Sequence, residues 1–339
     1  MIYARKICVF AKNVVILQPI RQSQVAEMAK IGVFDSGYGG LTILKEIRKV
    51  LPEYDYLYLG DNARAPYGTH SFDVIYQYTL QAVKYLFEQD CALVILACNT
   101  ASAKALRTIQ QKDLPEINHQ LQITNHQSRR VNVLGVIRPT VEAVPGITKT
   151  GHVGILATPA TVSSESYVLE LEKIQEYRPA SPDRIQNTDR FTITQQACPM
   201  WVPLIEAGEH NSEGAKYFVG KYLREILAKD SLIDTLVLGC THYPLLKAKI
   251  EGWLRYHEEI EESEFPVPNQ AAQIQIISQG TLVADSLKDY LLRHPEYRDQ
   301  LSQNGTCAYL TTENADRFSQ SASQFIGEKI SANSISLED

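Results

Sequence analysis

The sequence predicts an α/β protein built on mainly parallel sheets, and three observations carry that prediction. Short runs of uniformly aliphatic residues recur, such as Leu93-Val94-Ile95-Leu96 and Leu236-Val237-Leu238, without polar alternation. A run of that kind suits a strand buried on both faces. Segments with helical apolar spacing stand between the runs, and strands alternating with helices imply βαβ units. Two of the runs also end alike. Leu96-Ala97-Cys98-Asn99-Thr100 and Leu238-Gly239-Cys240-Thr241-His242 each pass from a small residue to a cysteine and then to polar residues. Ligands of open α/β sheets sit beyond the carboxyl ends of the strands. Each thiol is therefore expected at a strand tip, and two thiols at equivalent tips suggest two acid/base groups facing one substrate.

The elements follow in order. Strand 31–34 passes through a glycine-rich turn into helix 41–50, and strand 54–60 follows. Val74, Tyr78, Val83, Leu86 and Phe87 mark a helix over 71–89. Strand 93–97 leads to helix 101–110. Residues 113–130 break the rhythm with Asn, His, Gln and the pair Arg129-Arg130, and read as a linker or surface insertion. A second series places strands at 131–137, 153–157, 191–197 and 236–239, with helices at 161–174, 214–229 and 244–254. The acidic stretch 258–264, bounded by Pro266 and Pro268, reads as a solvated loop. Strands 274–277 and 307–311 and helices 281–293 and 315–326 complete the pattern. The tail from Ser331 is polar and is expected to fray.

A chain of 339 residues is long enough for two domains. Its 44% hydrophobic and 21% charged content is ordinary for a soluble enzyme. The net charge of −6 argues against a general affinity for nucleic acid or anionic membrane. No apolar run approaches the roughly 18 residues of a membrane-spanning helix. Cys8, Cys91, Cys98, Cys198, Cys240 and Cys307 are widely and irregularly spaced and form no CxxC pair. Reduced thiols are the expectation, not a disulfide framework or a zinc ribbon. The first 27 residues carry Arg5 and Lys6 before an apolar stretch, but Lys12 and Asn13 interrupt it and no small-x-small cleavage pattern follows. They read as an extension upstream of Met28-Ala29-Lys30.

Four motifs stand at strand ends. Asp35-Ser36-Gly37-Tyr38-Gly39-Gly40 opens a helix. It serves equally as an anion cradle or as a capped helix start with structural glycines, and it lacks the dinucleotide spacing. Asp61-Asn62-Ala63-Arg64-Ala65-Pro66-Tyr67-Gly68 is rich in hydrogen-bonding groups, and on composition alone it is a solvated turn. Cys98-Asn99-Thr100-Ala101-Ser102 puts a thiol at a helix N-terminus, where the dipole favours thiolate. Cys240-Thr241-His242-Tyr243-Pro244 sets a histidine two residues after a thiol. A lone cysteine is usually a small buried hydrophobe, and the repetition raises these two above that reading. Cys91, Cys198 and Cys307 are read as packing residues.

Taken together and in this order, the four motifs resemble the glutamate racemases of the cofactor-independent aspartate/glutamate racemase family, over residues 31–327. The resemblance implies two similar three-layer α/β domains with mainly parallel sheets and the active site in the cleft between them. It implies an N-terminal extension at 1–30, a discontinuous first domain at 31–128 and 271–330, a second domain at 129–270, and a tail at 331–339. By the match, Cys98 and Cys240 are the paired acid/base residues, with Asp35 and His242 as their polar partners. Asp35, Ser36, Tyr67, Gly68, Asn99, Thr100, Thr241 and His242 match positions around the substrate's ammonium and carboxylates. The resemblance implies interconversion of L- and D-glutamate for peptidoglycan synthesis, in the cytoplasm, with no cofactor, no metal, and no nucleic-acid or membrane partner. It leaves room for a homodimer.

The chain departs from the family pattern in two places. Arg138 of Val136-Ile137-Arg138-Pro139 stands where an acidic residue is common, and Ser278-Gln279-Gly280 stands where Asp-Ser-Gly is common. Both lie at strand ends, where they could change the charge near the cleft. Competing readings are a racemase for aspartate or another acidic amino acid, a non-catalytic binding protein on the same scaffold, and a redox or metal thiol protein. The last lacks a second metal-type histidine or cysteine beside either thiol.

Overall fold

The computed structural model describes residues 28–125, 130–177, 191–260 and 271–337. The segment read as an extension before Met28 lies outside the described residues. Ala29 and Lys30, assigned to that extension, belong to the fold. The Ala29 N–H donates to the Gln300 carbonyl at 2.8 Å, its own carbonyl accepts from the Ser302 N–H at 2.7 Å, and Lys30 opens the first strand.

Two sheets of parallel strands organise the described chain. The first comprises β1 (Lys30–Asp35), β2 (Tyr56–Gly60), β3 (Cys91–Leu96), β4 (Asn132–Gly135), β9 (Cys307–Thr311) and β10 (Ala332–Ser334), in the order β10-β9-β2-β1-β3-β4. The second comprises β5 (His152–Ala157), β6 (Thr192–Ala197), β7 (Thr235–Gly239) and β8 (Gln275–Ile277), in the order β6-β5-β7-β8. The aliphatic runs lie in the interior positions. Every residue of β2, β3 and β7 is buried, as strands covered on both faces require. Each fully buried Leu or Ile contributes roughly 1.5–3 kcal/mol relative to exposure.

The sheets divide the chain later than the expected boundaries at 129 and 271. β4 pairs with β3 in the first sheet, in register from Leu93↔Asn132 to Leu96↔Gly135. β8 pairs with β7 in the second, and its Ile277 packs among Val153, Ile155 and Val237. The chain therefore crosses between sheets through the helix Ile137–Ile147 and again through the helix Gln279–Arg293.

Other elements differ from their expectations. Residues 114–125, expected as a linker, form the helix Leu114–Asn125, because Leu114, Ile117 and Leu121 fall on one face and pack against the first sheet. Polar residues in between dilute that signal in the sequence. The expected helix over 161–174 is split into Pro159–Ser163 and Ser166–Tyr177. Residues 258–260 of the acidic stretch continue the helix Lys247–Ile260, and the remainder lies outside the described residues. The tail does not fray at once. Ala332–Ser334 adds an edge strand to β9, with the Ala332 N–H donating to Ser319 Oγ at 3.0 Å.

Local signals explain the helices around the site. Ser71 caps Phe72–Glu88 by accepting from the Val74 N–H, and Ile75, Thr79, Leu80, Ala82, Val83 and Leu86 form its buried face. Asn314 caps Ala315–Ile326 in the same way, and Gly327 ends that helix at φ 84° in the left-handed region.

Candidate active site

A doubly wound sheet leaves a crevice where its strand order reverses. In the first sheet the chain runs from β1 to β2 on one side and to β3 on the other, so the crevice lies between the tips of β1 and β3. Asp35 ends β1 and Ser36 follows it, and Cys98 follows β3. In the second sheet the reversal falls between β5 and β7, whose tips carry Thr158 and Cys240. Each cysteine thus stands at the switch point of its own sheet. The two crevices meet in a cavity of about 90 Å³ lined by residues of both.

Ser36, Tyr67, Gly68, Cys98, Asn99, Thr100, Cys240, Thr241 and His242 all line this cavity. Asp35 sits behind it and is fully buried. The Asp35 carboxylate accepts from the Gly37 N–H at 2.8 Å and from Thr241 Oγ1 at 3.4 Å. Burial raises its pKa, against the opposing pull of His242 and of the Gly37 and Gly40 N–H groups. Tyr67 directs its hydroxyl away from the cleft, to Asp61 Oδ2 at 2.5 Å.

The two thiols have different surroundings. Cys98 caps the helix Asn99–Lys104, with its Sγ accepting from the Ala101 N–H at 3.5 Å and lying 3.3 Å from Ser36 Oγ. Burial, and then the nearby Asp35 carboxylate, push its pKa up to about 12 despite those two hydrogen bonds. At this buried site the helix N-terminus does not outweigh burial and Asp35, and the thiol form of Cys98 is favoured. Cys240 Sγ lies 3.8 Å from His242 Nδ1, and His242 Nε2 lies 3.0 Å from Glu206 Oε1. Burial acts to lower the His242 pKa, but its bonds to Cys240 and Glu206 overcome this and hold it well above the ordinary value. The imidazole has a carboxylate behind it and a sulfur in front, and both favour its protonated form. The segment is held from below as well. The Tyr243 hydroxyl donates to the Cys198 carbonyl at 3.2 Å, and its ring meets the edge of Trp201 at 4.7 Å between centroids.

The glycine-rich turn serves close approach. A Cβ on Gly39 would lie 2.3 Å from Thr241 Oγ1 and 2.4 Å from His242 Nδ1. Only glycine lets the start of the helix Gly40–Val50 meet the Cys-Thr-His segment of the other sheet.

Sequence reasoning missed several residues of the wall, among them Glu206, Thr158 and Cys198. Glu206 ends the short helix Trp201–Glu206, which was not foreseen. Thr158 caps Pro159–Ser163 and lies 3.0 Å from Thr100 Oγ1 through its own hydroxyl. Its signal was present as Thr-Pro directly after an apolar run. Cys198, read as packing, lines the cavity while its thiol donates to the Gln196 carbonyl at 3.6 Å.

Of the two departures, Arg138 is remote from the cleft. It is exposed, pairs with Glu142 at 2.8 Å, and lines a separate groove of about 740 Å³ that includes neither Cys98 nor Cys240. Gln279 is buried against Asn99.

Comparison with known proteins gives the family. The Asp/Glu/Hydantoin racemase family model matches residues 41–255. Glutamate racemase of Ruegeria sp. (strain TM1040) is 37% identical over 310 residues, covering 88% of this chain and 97% of the relative. That of Geobacter metallireducens is 34% identical over 300 residues, covering 88% and 93%. Among solved structures, a glutamate racemase isoform of Bacillus anthracis superposes with TM-score 0.71 at 29% identity, covering 91% of this chain and 98% of that one. The Francisella tularensis glutamate racemase in complex with D-glutamate gives 0.69 at 28% identity, with the same coverage. The chain belongs to the Asp/Glu racemase family, among its glutamate racemases.

Proposed function

We propose that this racemase interconverts L- and D-glutamate by passing the Cα proton between Cys98 and Cys240, and that in the cytoplasm it supplies D-glutamate for peptidoglycan. The observation that carries the mechanism is the meeting of two thiols, one from the switch point of each sheet, in one cavity. Inversion at Cα needs a base on one face and an acid on the other. In each turnover one cysteine, as thiolate, takes the Cα proton, and the other, as thiol, returns a proton from the opposite face. The sulfurs then hold each other's starting states, ready for the reverse reaction.

The chemical difficulty is that a Cα–H beside a carboxylate is far less acidic than a thiol. The carbanion has to be stabilised by fixed donors around the carboxylate in a cleft that excludes water. Ser36, Asn99, Thr100 and Thr241 supply hydroxyl and amide groups at the cavity wall. Asp35 favours the protonated form of Cys98. The His242–Glu206 pair sets a proton carrier against Cys240. The D-glutamate complex of the Francisella tularensis relative supports glutamate as the ligand. The reading includes a homodimer, which sedimentation velocity checks.

Incubating the protein with single enantiomers of glutamate or aspartate in D₂O, without added cofactor, tests the reading. Cα deuteration and loss of optical rotation are expected with glutamate. Absence of exchange, or faster exchange with aspartate, overturns it. The close approach at Gly39 gives a second expectation. Gly39→Ala displaces Thr241 and His242 and should lower kcat/KM by roughly a hundredfold, the cost of about an ångström of misplacement. Ordinary activity in that variant would show that the two lobes do not meet at this turn during turnover.

A further inference from the structure

Gln279 is a buried residue for which the racemisation chemistry has no direct use. It opens the second crossing helix, and its side chain is 2% exposed. Its Nε2 faces four acceptors, since besides Thr140 and Tyr167 it lies 3.2 Å from Asn99 Oδ1 and 3.4 Å from the Val136 carbonyl, and all four place the nitrogen on that side of the amide. Thr140 Oγ1 donates to the Val136 carbonyl at 2.7 Å, so it has only lone pairs to offer Gln279. Gln279 Nε2 donates to that oxygen at 2.9 Å and reaches the Tyr167 hydroxyl at 3.0 Å. Gln279 Oε1 is thereby turned to Asn99 and accepts from its Nδ2 at 2.6 Å. Tyr167, receiving from Gln279, gives its own proton to Asn99 Oδ1 at 2.8 Å. The chain of polarity runs from one backbone carbonyl to the Asn99 amide. It fixes the amide oxygen toward Tyr167 and leaves one Nδ2–H uncommitted, on a residue that lines the cavity beside Cys98.

We propose that Gln279 is a positioning residue that, with Tyr167, holds the Asn99 amide with its nitrogen toward the cavity, as a hydrogen-bond donor to a carboxylate of the substrate. An amide turned the other way would present an oxygen to that carboxylate and repel it. The proposal rests on the reading that Asn99 binds glutamate, and it adds the device that selects the orientation. It also gives a physical account of the departure at Gln279, where a shorter hydroxyl side chain would not span Thr140 and Asn99 together.

The test compares Gln279→Met, Asn99→Ala and the double variant by steady-state kinetics with each enantiomer. A hydrogen bond to a charged group is at stake, so Gln279→Met should raise KM for both enantiomers by roughly ten- to a hundredfold. In the Asn99→Ala background the same substitution should leave KM unchanged, because the group it orients is gone. Tyr167→Phe keeps the ring and removes only the proton given to Asn99, so it should shift KM in the same direction with the thermal midpoint retained. It decides the matter if Gln279→Met fails to fold. A KM unaffected by Gln279→Met or by Tyr167→Phe, or effects that multiply in the double variant, overturns the positioning role. If Asn99→Ala itself leaves KM unchanged, the underlying reading of Asn99 fails and the proposal falls with it. Wild-type activity toward glutamate, measured in the same series, separates that outcome from failure of the racemase reading.

Discussion

Cys98→Ala and Cys240→Ala should each lower racemisation of both enantiomers by about a thousandfold or more, with the fold intact. Loss of a positioned acid or base costs roughly 10²–10⁴ in rate, and the missing group is needed in both directions, once as base and once as acid. Both side chains are small and buried, with 6% exposure each. Removal of a sulfur therefore costs little packing compared with its chemical effect. The variants should also differ from each other in D₂O. The surviving thiol can still remove and return the Cα proton on its own face, which places deuterium into one enantiomer without inverting it. The two variants should do this with opposite enantiomers. Near-normal racemisation in either variant, measured by polarimetry, would sink the two-base mechanism. Cys91→Ala, which removes a fully buried sulfur remote from the cavity, is the control and should retain turnover.

The second large effect is directional. Asp35 acts on Cys98, and the His242–Glu206 pair acts on Cys240. His242→Asn should impair the direction in which Cys240 takes the proton more than the reverse, and Asp35→Asn should show the opposite bias. The effect should lie between roughly a hundred- and a thousandfold, within the range of acid–base contributions. The equilibrium between enantiomers stays at unity in every variant, so kcat/KM must fall equally in both directions. The bias therefore appears as kcat and KM moving together for one enantiomer. Initial rates from each pure enantiomer resolve it. Identical kcat losses in both directions for both variants would mean that these residues only shape the cleft.

The strand tips were legible because a strand buried on both faces leaves an unbroken aliphatic signature, and the polar residues that follow it are conspicuous. Cys98, Asn99, Thr100, Cys240, Thr241 and His242 are such residues. Glu206 was not legible. It belongs to a six-residue helix, and its meaning depends on the approach of His242 from another part of the chain. The partners of β4 and β8 were hidden for a similar reason. Val131-Asn132-Val133-Leu134 reads as a strand whichever sheet receives it, and pairing is decided by packing between segments far apart in sequence. The helix over 114–125 shows the weakness of reading composition alone, since three well-spaced aliphatics sufficed to seat it.

The two crossings between the sheets have a mechanical meaning. Bodies joined by two lengths of chain swing about the line through both joints and resist sliding or twisting. Here the joints are the helices Ile137–Ile147 and Gln279–Arg293, pinned together where Gln279 Nε2 meets Thr140 Oγ1. Cys98 and Cys240 stand at strand tips of different sheets. A swing about these joints would alter the gap between Cys98 and Cys240, with Ser36 staying beside Cys98 and His242 beside Cys240. Each thiol keeps its nearest partner on its own sheet, while the Thr241–Asp35 bond is one that such a swing would have to break. Stiffening the pin should therefore slow the release of product before it slows the proton transfers themselves.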